Sequence, residues 1–126
     1  MVTEDNPGSR TLIVTIVNKG WGDIVVEASI KAGAEGGTIL FGRGVGIHEK
    51  KKILGIPVEP QKEIVFTVTP SKKAEGILNE IVRVARLCEP GRGIVFTIPV
   101  DRFAGMVHAA CEDPAEPAPQ TVEPRP

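Results

Sequence analysis

The chain has 126 residues, a formal net charge of −1, two cysteines and no tyrosine. That length suits one domain with its own core rather than two, and near-neutrality gives no general attraction to nucleic acid or to an acidic membrane surface. No apolar run approaches the ~20 residues of a membrane span, and residues 1–10 lack the apolar centre of a signal peptide. The expectation is a cytoplasmic protein with no direct membrane insertion.

Residues 1–10 are polar and turn-prone (Asp5-Asn6-Pro7-Gly8-Ser9) and read as a flexible leader. Residues 11–17, from Thr11 to Val17, are rich in β-branched side chains and stop at Asn18-Lys19-Gly20, which reads as a buried strand. The period then changes. Trp21, Ile24, Val25, Ala28 and Ala32 fall at helical spacing, with Asp23, Glu27 and Lys31 on the other side. Glu27 and Lys31 form a favourable i,i+4 pair, and Gly33 supplies the stop. The β-branched content of 24–30 keeps strand as a competitor; period and caps favour helix.

Residues 38–41 (Thr-Ile-Leu-Phe) read as a short strand. Gly42-Arg43-Gly44-Val45-Gly46 follows, and its alternate glycines let the backbone turn and come close to a ligand or another chain. Residues 46–60 read as an exposed loop with a basic patch (Lys50, Lys51, Lys52) and an apolar tip (Ile53, Leu54, Ile56). An apolar tip beside a charge run makes this a candidate partner-docking loop.

A second unit repeats the plan. Residues 64–68 are an apolar strand, and residues 71–87 are an amphipathic helix with Ser71 as expected N-cap. Ala74, Ile77, Leu78, Ile81 and Ala85 form its stripe, whose burial should offset the ~1 kcal/mol that Gly76 costs relative to alanine. The turn Glu89-Pro90-Gly91-Arg92-Gly93 leads into a last strand at 94–98. From Cys111 the chain is acidic and proline-rich and reads as a disordered tail. The division is therefore a leader at 1–10, a folded domain at 11–110 and a tail at 111–126.

Two successive strand–helix–strand units specify an α+β, ferredoxin-like βαββαβ fold, an antiparallel sheet with both helices on one face. Its strands read as nearly continuous apolar runs, the pattern of a sheet covered on both faces. The face without helices is therefore expected to meet other subunits.

The chemistry-bearing residues are sparse. Cys88 and Cys111 make no disulfide framework and have no Cys-x-x-Cys partner. His48 and His108 stand apart, so no metal site is expected. Cys88 has Glu89 beside it, a poor setting for a thiolate, and no nucleophile–base pair is evident. The chain is read as no enzyme. Phe66 and Phe96 lie on strands where an RNA-recognition module carries its aromatics, but with no tyrosine, only four phenylalanines and a net charge near zero they read as core and no nucleic acid is expected.

Three segments carry a family resemblance: Asp23 through Gly46, with Gly-Gly-Thr-Ile-Leu-Phe-Gly-Arg-Gly-Val-Gly at 36–46; Glu63 to Ala85, with Ile81-Val82-Arg83-Val84-Ala85; and Gly91-Arg92-Gly93-Ile94-Val95-Phe96. In order and spacing the chain resembles the PII signal-transduction proteins, trimeric ferredoxin-like regulators of nitrogen metabolism. The resemblance implies a homotrimer with adenine nucleotides (ATP, ADP or AMP) bound in the clefts between subunits, 2-oxoglutarate joining ATP and magnesium. It also implies that the loop at 46–60, here shorter than the family's T-loop, docks on a transporter or metabolic enzyme. By position, Gly44, Gly46 and Lys62 would stand at the base of that loop. Ile16, Thr38 and Val68 would line the base pocket, and Gly91-Arg92-Gly93 would hold phosphates through backbone amides.

Several positions depart from the pattern. Ile94 stands where the family has its phosphate-binding lysine, and Arg92 replaces an aspartate. Ala104 and Met106 stand where a neighbouring subunit supplies arginines, with Arg102 close by. Ile47 replaces an arginine, and His48 replaces a glutamine that organises magnesium and 2-oxoglutarate. Without tyrosine, uridylylation of the loop is excluded. These changes point to a weaker or different anionic effector, such as ADP, AMP, a cyclic nucleotide or bicarbonate, with Arg43, Lys62, Arg92 and Arg102 rebuilding part of the site. The alternative is a metal-handling trimer of the CutA type, for which His48, His108, Cys88 and Cys111 would have to converge between subunits.

Overall fold

A computed structural model describes residues 8–46, 51–53, 55–58 and 60–105. The first strand, β1 (Arg10–Asn18), leads into helix α1 (Gly22–Lys31), strand β2 (Thr38–Arg43) and two short strands, β3 (Lys51–Ile53) and β4 (Ile56–Val58). Strand β5 (Gln61–Pro70), helix α2 (Ser71–Ala85) and strand β6 (Gly93–Val100) complete the order. The main sheet runs β2-β5-β1-β6 with every pairing antiparallel. This is the ferredoxin-like arrangement expected from the sequence.

The central pair, β1 and β5, is in register from Arg10 opposite Pro70 to Asn18 opposite Lys62. Because side chains alternate between faces, Ile13, Thr15, Val17, Val65, Thr67 and Thr69 all turn one way, and all are buried. Helix α1 brings Val25 and Ala28 onto this face, and α2 brings Ala74, Ile77, Ile81 and Ala85. Every member of the predicted α2 stripe except Leu78, which is half-buried, is in this core. In α1 the predicted stripe is less complete: Val25 is fully buried while Ile24 remains 37% exposed.

Four local expectations change. Ser71 is the first residue of α2 rather than its N-cap; Pro70 takes the cap position with no side-chain cap. Proline is pre-set for that entry and leaves no amide to satisfy, so the Ser71 hydroxyl is free to pair with Thr11 Oγ1 at 2.8 Å. Helix α2 ends at Ala85, because Arg86 turns into the left-handed region at φ 58°. The segment at 46–60 is not loop throughout: Lys51–Ile53 pairs with Ile56–Val58 as a hairpin, with Gly55 at φ +80° in its turn. A left-handed glycine at a tight hairpin turn is what closing two such strands requires. Phe66 and Phe96, expected in the core, lie on the open face, 39% and 40% exposed.

On that open face the register aligns side chains in rows across the sheet. Val14 sits between Phe66 and Phe96, and Ile16 sits between Ile64 and Ile94, with Leu40 extending the second row. Neither helix covers these rows. Val14 is shielded by the two rings, while Ile94 is 55% exposed. Among the described residues no helix is long and apolar enough to cross a membrane.

Candidate effector cavity between two glycine-bearing turns

At one end of the open face the rows terminate in a cavity of about 460 Å³, within the size range of small-molecule sites. Its floor is the row Ile16, Ile64 and Ile94. One wall is Arg43, Gly44, Val45 and Gly46, at the end of β2 and just beyond it; the other is Gly91 and Gly93, in the turn before β6 and at its first residue. Lys62, at the start of β5, completes the lining.

Each wall has a local cause. Gly44 donates its N–H to the Pro60 carbonyl at 3.3 Å, so the segment 45–59 leaves and returns through a closed neck. Gly44, one side of that neck, lines the cavity. On the opposite wall, Gly91 and Gly93 have φ of +79° and +141°. At Gly93 a Cβ would collide with the Ile16 carbonyl oxygen, so only glycine lets this turn lie flat against the end of β1. The preceding turn is closed by Glu89 N–H to Arg86 O at 3.1 Å and Arg92 N–H to Glu89 O at 3.4 Å.

Three polar side chains, Lys62, Asn18 and Glu63, organise this end of the sheet. Lys62 is 92% removed from solvent, at 8% relative exposure, and its ammonium donates to Asn18 Oδ1 at 2.6 Å. Asn18 Nδ2 donates in turn to the Gly91 carbonyl at 3.0 Å. Glu63, one residue on and facing the helices, accepts the Gly22 N–H at 2.7 Å. A carboxylate at that position satisfies an orphan donor of α1 and faces the positive end of its dipole. It replaces the side-chain cap that Trp21 lacks, and glycine at 22 lets it come this close: a Cβ there would stand 2.5 Å from Glu63 Oε1 and push the carboxylate away.

Of the residues carried over by resemblance, Ile16, Gly44, Gly46, Lys62, Gly91 and Gly93 gather around this one cavity. Thr38 and Val68 do not line it. Thr38 pairs with Phe66, one row further from the cavity, and Val68 lies a row beyond that. The Arg92 side chain turns to the helix side: its guanidinium lies 4.1 Å over the Trp21 ring, a cation–π contact, and its Nε donates to Ala85 O at 3.4 Å. It pins the turn to both helices while the turn's backbone faces the cavity. Arg102 follows the far end of β6, where Val100 pairs with Arg10, roughly 25 Å along the strand from Gly93 at ~3.3 Å per residue. There Arg10 stacks 4.7 Å over the Phe103 ring.

Of the docking-loop residues, Lys51, Lys52, Ile53 and Ile56 form the hairpin backbone, while Lys50 and Leu54 lie outside the described residues. So do His48, His108 and Cys111; Cys88 is an exposed free thiol. Among the described residues no three His, Cys, Asp or Glu side chains are grouped to hold a metal ion. Val45 and Ile64 entered the cavity without having been singled out, and so did Asn18 beneath it. The signal for Asn18 was available: it ends a β-branched run on the same face as Ile16.

Models of known protein families give no match to the chain, and neither do curated proteins.

Proposed function

We propose that the protein is a PII-like regulator that binds a small anionic effector in this cavity and reports its occupancy through the segment at 46–60. The observation that carries the reading is that the neck of that segment is itself a cavity wall, opposite the glycine turn. A ligand between Gly44–Gly46 and Gly91–Gly93 touches the base of the docking segment directly. The chemistry suits an anion with an apolar or planar body: Arg43 and Lys62 supply charge, glycine backbone N–H groups cradle oxygens, and the isoleucine floor takes the rest. Adenine nucleotides fit that description, as do smaller anions such as bicarbonate. With Ile94 in the place of a phosphate-binding lysine, one charge-assisted contact worth on the order of 1.5–3 kcal/mol is forgone. Polyphosphate affinity should fall by about tenfold or more on that account. The effector acts as a signal, and the protein turns nothing over.

The assembly belongs to the same proposal. Phe66, Phe96, Ile94 and Ile98 stand 39%, 40%, 55% and 44% exposed on one face, an apolar cluster of the kind that marks an interaction surface, and cations stand only at the ends of the described face, at Arg10 and Lys62. A homotrimer that buries these faces also explains Arg102, which is too far along β6 to serve its own cavity and could serve a neighbour's. The regulated partner is a transporter or metabolic enzyme, in nitrogen or related metabolism.

Isothermal titration with ATP, ADP, AMP, cyclic AMP, bicarbonate and 2-oxoglutarate tests the reading. At least one should bind, and Lys62→Ala should weaken it by about tenfold or more, the cost of one charge-assisted contact. Silence across the panel, or binding indifferent to Lys62, overturns it.

A further inference from the structure

We propose that Asn18 is the positioning residue of the cavity, its amide group coupling the Lys62 ammonium to the Gly91 turn. The proposal rests on reading this cavity as an effector site. Asn18 and Lys62 are directly opposed in the β1–β5 register and share the open face, which sets their side chains together. The amide makes two contacts of opposite polarity: Oδ1 accepts from Lys62 Nζ at 2.6 Å, and Nδ2 donates to Gly91 O at 3.0 Å. An ammonium has no acceptor and a carbonyl has no donor, so the amide fits in one orientation only. A flip would set NH₂ against NH₃⁺ and oxygen against oxygen. No other side chain of this length supplies both halves: aspartate holds the lysine but repels the carbonyl, and leucine loses both.

The consequence is mechanical. Lys62 stands at the returning arm of the segment whose neck is Gly44 to Pro60, while Gly91 belongs to the opposite wall. An anion that draws the Lys62 ammonium into the cavity takes it from Asn18 Oδ1, and the amide that loses its acceptor contact holds Gly91 less firmly. The two walls therefore respond together, through one side chain at the cavity's edge.

Amide hydrogen exchange on the full chain, with pyrophosphate as the anion probe, tests this. In Asn18→Leu, exchange of the amides at 91–94 should speed about five- to tenfold, the loss of one hydrogen bond, with the β1–β5 ladder at 12–14 unchanged. Lys62→Met should speed the same turn amides although it leaves Asn18 in place. Asn18→Asp should bind pyrophosphate about tenfold or more weakly than the wild type, because an ion pair must now be broken. Turn amides indifferent to Lys62→Met overturn the coupling even if pyrophosphate binds. If the exchange coupling appears but the wild type binds no pyrophosphate, Asn18 still joins the two walls and the effector reading of the cavity is what fails.

Discussion

Along β1, Ile13, Thr15 and Val17 are at most 1% exposed beneath the helices, whereas on the opposite face Leu12 and Ile16 are only partly covered and Val14, at 6%, is buried between the two phenylalanines. The same alternation runs through β5, with Val65 fully buried and its neighbour Phe66 39% exposed. One face of the sheet is thus finished by the two helices, and the other carries equally apolar side chains that neither helix covers. The pair of faces separates two tasks. Burial under α1 and α2 holds the fold, at ~25 cal/mol per Å² of apolar surface removed from water; in our proposal the open face serves association and, at its end, the cavity.

The largest effect expected from breaking this division is on the covered side. Ile77 is fully buried at the centre of the α2 stripe, and Ile77→Ala should lose about 2–5 kcal/mol, the transfer term plus the cavity left behind. Urea denaturation should show a lower midpoint with little change in slope. A loss below ~1 kcal/mol would mean that α2 is not what closes the core.

On the open side the expected effect is of another kind. Phe96→Asp puts a charge into the Phe66–Val14–Phe96 row without touching a helix. It should abolish trimers in sedimentation equilibrium while the far-ultraviolet circular dichroism of the chain stays native. Unfolding on dissociation would show that the two faces are not separable tasks, and a monomeric wild type would remove the reason for proposing association at all.

Much of this division could be read in the sequence, and the parts that could not have physical reasons. The repeated strand–helix–strand plan was legible because apolar period and glycine stops are local properties. The unhelical face was legible as a surplus: two helices cannot cover both sides of strands that read as continuous apolar runs. Phe66 and Phe96 were misplaced because such a run does not say which residues face which way; only the register, Val14 opposite both rings, decides it. Six of the ten carried-over site residues gather at the cavity because glycines and the neck lysine are fixed by the backbone. Arg92 does not show in its position that it will prefer the Trp21 ring, because a long side chain chooses between faces by what lies within reach. Asn18 and Glu63 act on residues 73 and 41 positions away, and no periodicity reports a contact of that range.

The smallest effect should come from a third surface, the solvent side of α2, which neither face of the sheet depends on. Glu80 accepts two hydrogen bonds from Arg83, at 2.9 and 2.7 Å, and that contact holds its carboxyl below the ordinary value of 4.5. A carboxylate with a lowered folded-state pKa stabilises the fold fully above the unfolded value and loses that contribution as pH falls through the folded one. The pair is exposed, so water screens it and the contribution is small. Glu80→Gln should therefore leave the melting temperature at pH 7 nearly unchanged. What it should remove is a slight extra loss of stability as pH falls below about 4.5, visible when melting curves of the variant and the wild type are compared on the acid side of that value. A large drop at neutral pH would place α2's outer side in a contact of its own, and the division of labour between the two sheet faces would no longer account for the whole molecule.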